Sequence, residues 1–293
     1  LLLISPERLA NRGFRERVMD QVGPSSGLVV IDEAHCISDW GHDFRPDYRR
    51  IRHVLDTLSS DVPVLACTAT ANNRVVDDVA AQLGTNLLVS RGALGRDGLA
   101  LQVVDLPSAA DRLAWLAHVV PQLDGTGIVY CLTKRDAEQV AEWLGRHGVA
   151  AGVYTGDSDG REALEQQLLA NEVKVVAATS ALGMGFDKPD LSFVIHYQSP
   201  GSPIAYYQQV GRAGRQLDRS TGVLLCGTED RQIQDWFIST AFPSKVDAEE
   251  VLRILDERGD WVKDTELQTA VNVRPTRMAI LLKNLEVDGA RPS

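Results

Sequence analysis

The stretch "GLVVIDEAHCISDWGHDFRPDY", residues 27–48, decides the reading of the chain. Gly27 opens a run of β-branched residues, Val29, Val30 and Ile31, of the kind found in a buried strand. The run stops at two adjacent carboxylates, Asp32 and Glu33, followed by His35. In open α/β sheets, ligands bind outside the carboxyl ends of the strands, so acids delivered there are candidates for chemistry. The loop that follows holds Trp40, His42, Phe44, Arg45 and Tyr48 among glycine and proline.

Outward from this segment, short apolar runs alternate with amphipathic ones. Residues 62–70, 127–132, 173–180, 192–197 and 222–226 read as further strands, and 73–84, 134–148 and 160–172 as helices. Helix and strand taking turns predicts parallel sheets covered by helices, an α/β class. Glycine and charge interrupt the pattern over 90–107, which places a domain boundary near residue 95. Beyond Cys226 the texture is helical, with stretches over 229–240, 247–258 and 264–287, broken near Asn272; Met278, Leu281, Leu282 and Leu285 line one face of the last.

The 293 residues, 44% hydrophobic and 24% charged, suit a globular chain of two domains and a small third. No apolar run approaches the length of a membrane span, and the opening "LLLISPERLA" is too short for a signal peptide, so no membrane partner and a cytoplasmic location are expected. Four scattered cysteines without a C-x-x-C pair argue against a zinc knuckle, and no zinc is expected. A net charge of −10 argues against coating nucleic acid by bulk attraction, but local basic grooves remain compatible with it.

Asp32 could hold Mg²⁺, which prefers oxygen ligands and binds one or two carboxylates together with substrate phosphates. Glu33 could then orient and deprotonate a water, and His35 could relay to a second site. Alone, D-E-x-H better describes a solvated turn with helix-capping acids. Three other segments weigh against that reading. In "YYQQVGRAGR" (206–215), Arg212 and Arg215 lie three apart, so on a helix they share a face; guanidinium groups suit phosphate oxygens. In "ATSALGMGFDKPDLSFVIH" (178–196), Thr179, Ser180, Gly183, Gly185, Asp187 and Lys188 form a loop able to meet a phosphate backbone or a ribose. "CTATAN" (67–72) ends a strand with Thr68 and Thr70, whose hydroxyls can bridge sites.

Together, "DEAH", "ISDWGHDFRPDY", "TATA", "GMGFDKPD" and "YYQQVGRAGR" resemble the RecQ-like DNA helicases of superfamily 2, over the span from "SPERL" to about residue 228. The resemblance implies two RecA-like domains, here 1–95 (the first, incomplete) and 96–228, that close over ATP. A helical linker (229–246) and a truncated winged-helix-like domain (247–293) would follow. It implies ATP hydrolysis coupled to 3′-to-5′ movement on single-stranded DNA and unwinding of partial duplexes in recombination and repair, in association with the nucleoid. Asp32 would be the Mg²⁺-site acid and Glu33 the water-activating acid. Arg212 and Arg215 would sense phosphate with Gln208 nearby, and Asp187 would be a ribose-side or hinge contact. Trp40 and Phe44 would stack unpaired bases, worth roughly 1–3 kcal/mol per base, with Arg45 near the backbone and His42 and His35 tying that loop to the acids. The alternative of a core role for Trp40 and Phe44 stays open. So do an RNA-directed DEAH ATPase and a non-catalytic nucleic-acid- or partner-binding protein.

The sequence departs from the family in two ways. No Gly-Lys pair occurs, so the phosphate loop G-x-x-x-x-G-K-[ST] is expected to precede residue 1 in a longer parent. The 293 residues alone are then expected to bind ATP poorly and not to hydrolyse it. No cysteine-rich zinc module follows Cys226; the helical tail instead would offer Arg277 and Lys283 to a DNA backbone, or serve only as a scaffold.

Overall fold

The computed structural model describes residues 1–37, 48, 50–56, 58, 61–84, 87–92, 95–183, 185–241, 244–259 and 261–287. The chain divides into two compact units, Leu1–Ser90 with Phe237–Ser293, and Arg91–Trp236.

In the first unit, short helical turns at Arg12–Phe14 (α1) and Asp20–Val22 (α2) precede strand β1 (Val29–Ile31). Helix α3 (Arg50–Leu55), strand β2 (Val64–Ala66) and helix α4 (Asn73–Leu83) follow. The two strands pair in parallel, Val29 with Val64 and Ile31 with Ala66. Ile31, Ala34, Cys36, Ile37, Val75 and Val79 form a core on one face. The intervening pair, Val30 and Leu65, points the other way and is exposed, as the two-residue period of a strand requires. Helix α4 starts where Asn72 accepts the backbone N–H of Val75 at 2.9 Å, satisfying a donor the helix cannot.

The second unit holds a six-stranded, wholly parallel sheet in the order β3-β8-β7-β4-β6-β5. Its strands are Leu99–Asp105 (β3), Thr126–Tyr130 (β4), Ala151–Tyr154 (β5), Val175–Ala178 (β6), Leu191–His196 (β7) and Ser220–Cys226 (β8). Every residue of β4 and β6 is buried, as central strands covered on both faces must be. The covering helices are α5 (Ala109–Val119), α6 (Lys134–Arg146), α7 (Arg161–Leu169) and α8 (Pro203–Val210). In α6, Ala137, Val140, Ala141 and Leu144 fall at helical spacing and are all buried. Thr133 begins the helix by accepting from Asp136 N at 3.1 Å. Leu144 is wholly enclosed, so Leu144→Ala would cost about 2–5 kcal/mol. A buried Arg112 on α5 fastens the far side of the sheet. It donates to Leu106 O at 3.2 Å, pairs with Glu229 and lies 4.8 Å from the Tyr197 ring centre.

In the second unit, two strands and two helices are absent from the sequence reading. Edge strand β3 is mostly exposed, and β5 is built on Ala151 and Gly152, so neither makes a long apolar run. Helices α5 and α8 fell in segments left unassigned.

Helices α9 (Asp230–Ala241), α10 (Lys245–Arg258), α11 (Asp264–Val271) and α12 (Pro275–Val287) complete the chain. Ser244 and Asp247 form a reciprocal capping box at the start of α10. Asn272, with φ 54°, makes the left-handed break between α11 and α12. Val251, Leu267, Val273, Met278 and Leu281 are the buried centre of this helical group.

Candidate functional site

The acid end of β1 is held in place by the β1–β2 ladder, which runs past both strands. Cys67 N donates to Ile31 O at 2.8 Å and Ala34 N to Cys67 O at 2.9 Å. Asp32, Glu33 and Thr68 are thereby fixed beside one another. Asp32 is exposed, and its Oδ1 accepts from Glu33 N at 2.9 Å. Glu33 stands at φ 49°, a left-handed conformation that costs a non-glycine residue about 1–2 kcal/mol. Strain of this kind collects where a side chain must be aimed.

His35 is buried, and its Nδ1 lies 3.1 Å from Glu33 Oε2 and 3.0 Å from Thr68 Oγ1. This ring nitrogen thus stands between the acid and the "CTATAN" segment, hydrogen-bonded to Thr68 and within ion-pair distance of Glu33. Thr68 Oγ1 also accepts from Thr70 N at 3.2 Å. Thr70 Oγ1 is buried and has no hydrogen-bond partner among the described residues. Tyr48 OH donates to Asp32 O at 3.4 Å, which anchors the far end of the aromatic segment to the acids. Cys67 is exposed at the same strand end. Trp40, His42, Phe44 and Arg45 lie outside the described residues.

In the second unit, the carboxyl ends of β4, β6 and β7 carry the remaining candidates. Thr179 directly follows β6; its N donates to Tyr154 O at 3.1 Å and its Oγ1 accepts from Ala181 N at 3.4 Å. Gln208, half-buried, lies on α8. The expectation that Arg212 and Arg215 share a helix face is corrected by the structure. Helix α8 ends at Val210, and Gly214 turns to φ 69°, where its N–H donates to Leu191 O at 2.8 Å. The arginines therefore leave a tight turn and converge on loop 183–191. Arg212 Nη1 donates to Phe186 O at 2.8 Å, and Arg215 Nη1 pairs with Asp187 Oδ1 at 2.9 Å. Gln216 N closes the turn on Pro189 O at 2.9 Å.

Lys188 is also corrected. It was read as able to meet a phosphate backbone or ribose, but its ammonium group is buried. Nζ donates to Asp190 Oδ1 at 2.7 Å and Asn171 Oδ1 at 3.0 Å. It fastens the loop that Asp187 and the arginines share, and it holds the Asp190 carboxyl below its ordinary pKa.

Several residues of this centre escaped the sequence reading. His196, at the end of β7, is wholly buried between Tyr130 (ring centres 5.7 Å apart) and Tyr206 (4.9 Å), and its Nε2 lies 3.0 Å from Gln209 Oε1. Burial pushes its pKa down to about 4, so the ring is neutral at physiological pH. Tyr130 OH donates to Leu182 O at 2.9 Å; burial pushes that hydroxyl up to about 12, with Arg212 opposing. This aromatic stack supports α8 from beneath, and the one sequence signal for it was a histidine closing an otherwise apolar strand.

Asp32, Glu33, His35, Thr68 and Thr70 thus gather at one strand end of the first unit. Thr179, Asp187, Arg212 and Arg215 gather at the strand ends and adjoining loops of the second. The first set holds oxygen groups of the kind that bind a metal ion or a water; the second holds two guanidinium groups, engaged by Phe186 O and Asp187, of the kind that bind anions.

Residues 1–79 match the DEAD/DEAH box helicase family and residues 111–216 the helicase conserved C-terminal domain. The chain is 36% identical over 289 residues to the probable ATP-dependent DNA helicase RecS of Bacillus subtilis (strain 168), covering 96% of this chain and 58% of that protein. It is 40% identical over 242 residues to the ATP-dependent DNA helicase RecQ of the same organism, covering 81% and 40%. The chain therefore spans less than two thirds of these relatives. The structure of Saccharomyces cerevisiae Dbp5 bound to RNA and ADP BeF3 shares the fold at 21% identity, with a TM-score of 0.59 over 73% of this chain and 58% of that one. Parallel α/β bodies of RecA-like helicase type, acids at the end of β1 and an arginine turn after α8 coincide with these likenesses, and the curated proteins that the chain resembles are RecQ-type ATP-dependent DNA helicases.

Proposed function

We propose that this chain serves an ATP-driven motor that moves 3′-to-5′ on single-stranded DNA and separates partial duplexes in recombination and repair, in association with the nucleoid. The observation that carries the reading is the bridge from Glu33 through His35 to Thr68. An acid aimed by a strained backbone, and tied through a buried imidazole to a second segment, suits hydrolysis that must answer to another ligand.

In this reading Glu33 orients the attacking water and takes its proton. Arg212 and Arg215 leave loop 183–191 to meet phosphate oxygens, for which their planar donors are suited. Gln208 would act near them, and Asp187 would be a ribose-side or hinge contact. The exposed Asp32 carboxylate at a strand end fits Mg²⁺, which binds one or two carboxylates with substrate phosphates. Asp32 would hold the ion, which would neutralise charge on the transferring phosphoryl group. Trp40 and Phe44 would stack bases and Arg45 meet the backbone, with His42 and His35 passing occupancy back to Glu33. Thr68, Thr70 and Thr179 would line the DNA side. The domain limits near 95 and 228, and a winged-helix-like role for 247–293 with Arg277 and Lys283 toward DNA, belong to the same reading.

The test is ATP hydrolysis by the full-length protein with single-stranded DNA, RNA or neither. Stimulation by DNA well above RNA is expected, together with unwinding of a 3′-tailed duplex. Equal stimulation by RNA would favour an RNA-directed ATPase. Binding of DNA without any hydrolysis would favour a non-catalytic role.

A further inference from the structure

The turn that carries Arg212 and Arg215 is fastened on two sides. Loop 183–191 is one. The other is the stretch that leads into β3. Arg96 Nη1 donates to Ala213 O at 3.0 Å, and Ala213 is wholly buried in the middle of the turn. Immediately behind, Gly98 O accepts from Ser220 N at 2.8 Å and from Ser220 Oγ at 3.4 Å. A Cβ on Gly98 would stand 2.5 Å from Asp218 O, and one on Gly214 would stand 2.1 Å from Ser220 Oγ. Residues 96–98 and 218–220 meet backbone to backbone, and 213–214 are held against them by the Arg96 and Ser220 side chains, which leaves the turn little room to slide.

A guanidinium that holds the carbonyl of Ala213 decides the tilt of the peptide plane between Ala213 and Gly214. That plane lies between the two arginines in the chain. Its tilt fixes the directions in which their side chains depart. Arg96 also lies on the segment through which the chain passes from the first sheet to the second. We propose that Arg96 is a positioning residue for the arginine pair, setting the angle at which Arg212 and Arg215 leave the turn and linking that angle to the connecting segment. The inference rests on the reading above, in which the two arginines meet phosphate.

Two measurements test it. In the 293-residue chain, Arg96→Ala is expected to lower hydrogen-exchange protection of the Gly214 and Gln216 amides about tenfold, with β4 and β6 unchanged and Arg96→Lys within about twofold of wild type. In the full-length protein, Arg96→Ala should lower the DNA-stimulated kcat about tenfold with KM for ATP moving less than about twofold, and Arg96→Lys should restore most of the rate. Unchanged protection at Gly214 and Gln216, loss spread over the whole sheet, or a wild-type kcat in Arg96→Ala would each overturn the proposal. A wild-type protein without DNA-stimulated hydrolysis would sink the functional reading instead, and the exchange result would still judge the Arg96 contact.

Discussion

Gly214→Ala puts a methyl group where the fold leaves no space. The added Cβ would stand 2.1 Å from Ser220 Oγ and 2.6 Å from Ser220 Cβ. Ser220 cannot retreat, because it is buried and its N–H is bonded to Gly98 O. Two costs add. Holding alanine at the φ of 69° found here costs about 1–2 kcal/mol, and forcing a methyl group into packed structure about 1–3 kcal/mol. A loss of about 2–5 kcal/mol follows. With urea m-values of roughly 1–3 kcal/mol/M, the unfolding midpoint of the second unit should fall by about 1–2 M. The second variant separates the costs: Gly214→Ala with Ser220→Gly removes the collision and keeps the strained φ, so it should recover about half of the loss. Urea titrations followed by circular dichroism measure both. A single variant within about 0.5 kcal/mol of wild type, or a double variant no better than the single, would refute the reasoning.

Further expectations concern chemistry and charge. Glu33→Gln in the full-length protein should abolish ATP turnover while nucleotide binding, measured by calorimetry, persists. Trp40→Ala or Phe44→Ala should lower DNA-stimulated hydrolysis far more than basal hydrolysis, and equal loss of both would contradict a coupling role. Because the pKa of His196 falls from 6.5 unfolded to about 4 folded, the unfolded chain binds the extra proton between those values. Stability should therefore decline as pH drops from about 6.5 to 4, by up to roughly 3 kcal/mol, and urea midpoints of His196→Gln should fall less steeply over that window. Lys188→Met strips a buried donor from Asn171 and Asp190 and should destabilise the second unit by about 2 kcal/mol. The Asp190 carboxyl should then titrate higher, as NMR would show.

The elements most legible in the sequence were those with their own period and punctuation. Helix α6 announced itself by Ala137, Val140, Ala141 and Leu144, and Asn272 marked the break before α12. Strand β3 was hidden because an edge strand need not be apolar, and the small residues of β5 resemble a loop. For the site, the acids of "DEAH" and the paired arginines could be picked out as residues. Their setting could not. Arg212 and Arg215 were legible as neighbours and were expected to share a helix face, whereas α8 stops at Val210 and Gly214 turns the chain in a left-handed conformation. Lys188 was read as able to meet a phosphate backbone or ribose because a lysine in a loop offers its charge outward, and only its tertiary partners, Asn171 and Asp190, reveal it as a fastening. His196 and Arg96 act through contacts distant in sequence, which no local pattern records.

Cys67 turns an accident of composition into an experimental handle. Cys36 and Cys131 are buried and Cys226 is half-buried, which leaves Cys67 as the exposed thiol among four. It adjoins Thr68, the far end of the bridge from Glu33. A maleimide fluorophore should therefore attach at one position without any engineered residue, and its emission would follow that bridge in real time as nucleotide and DNA come and go.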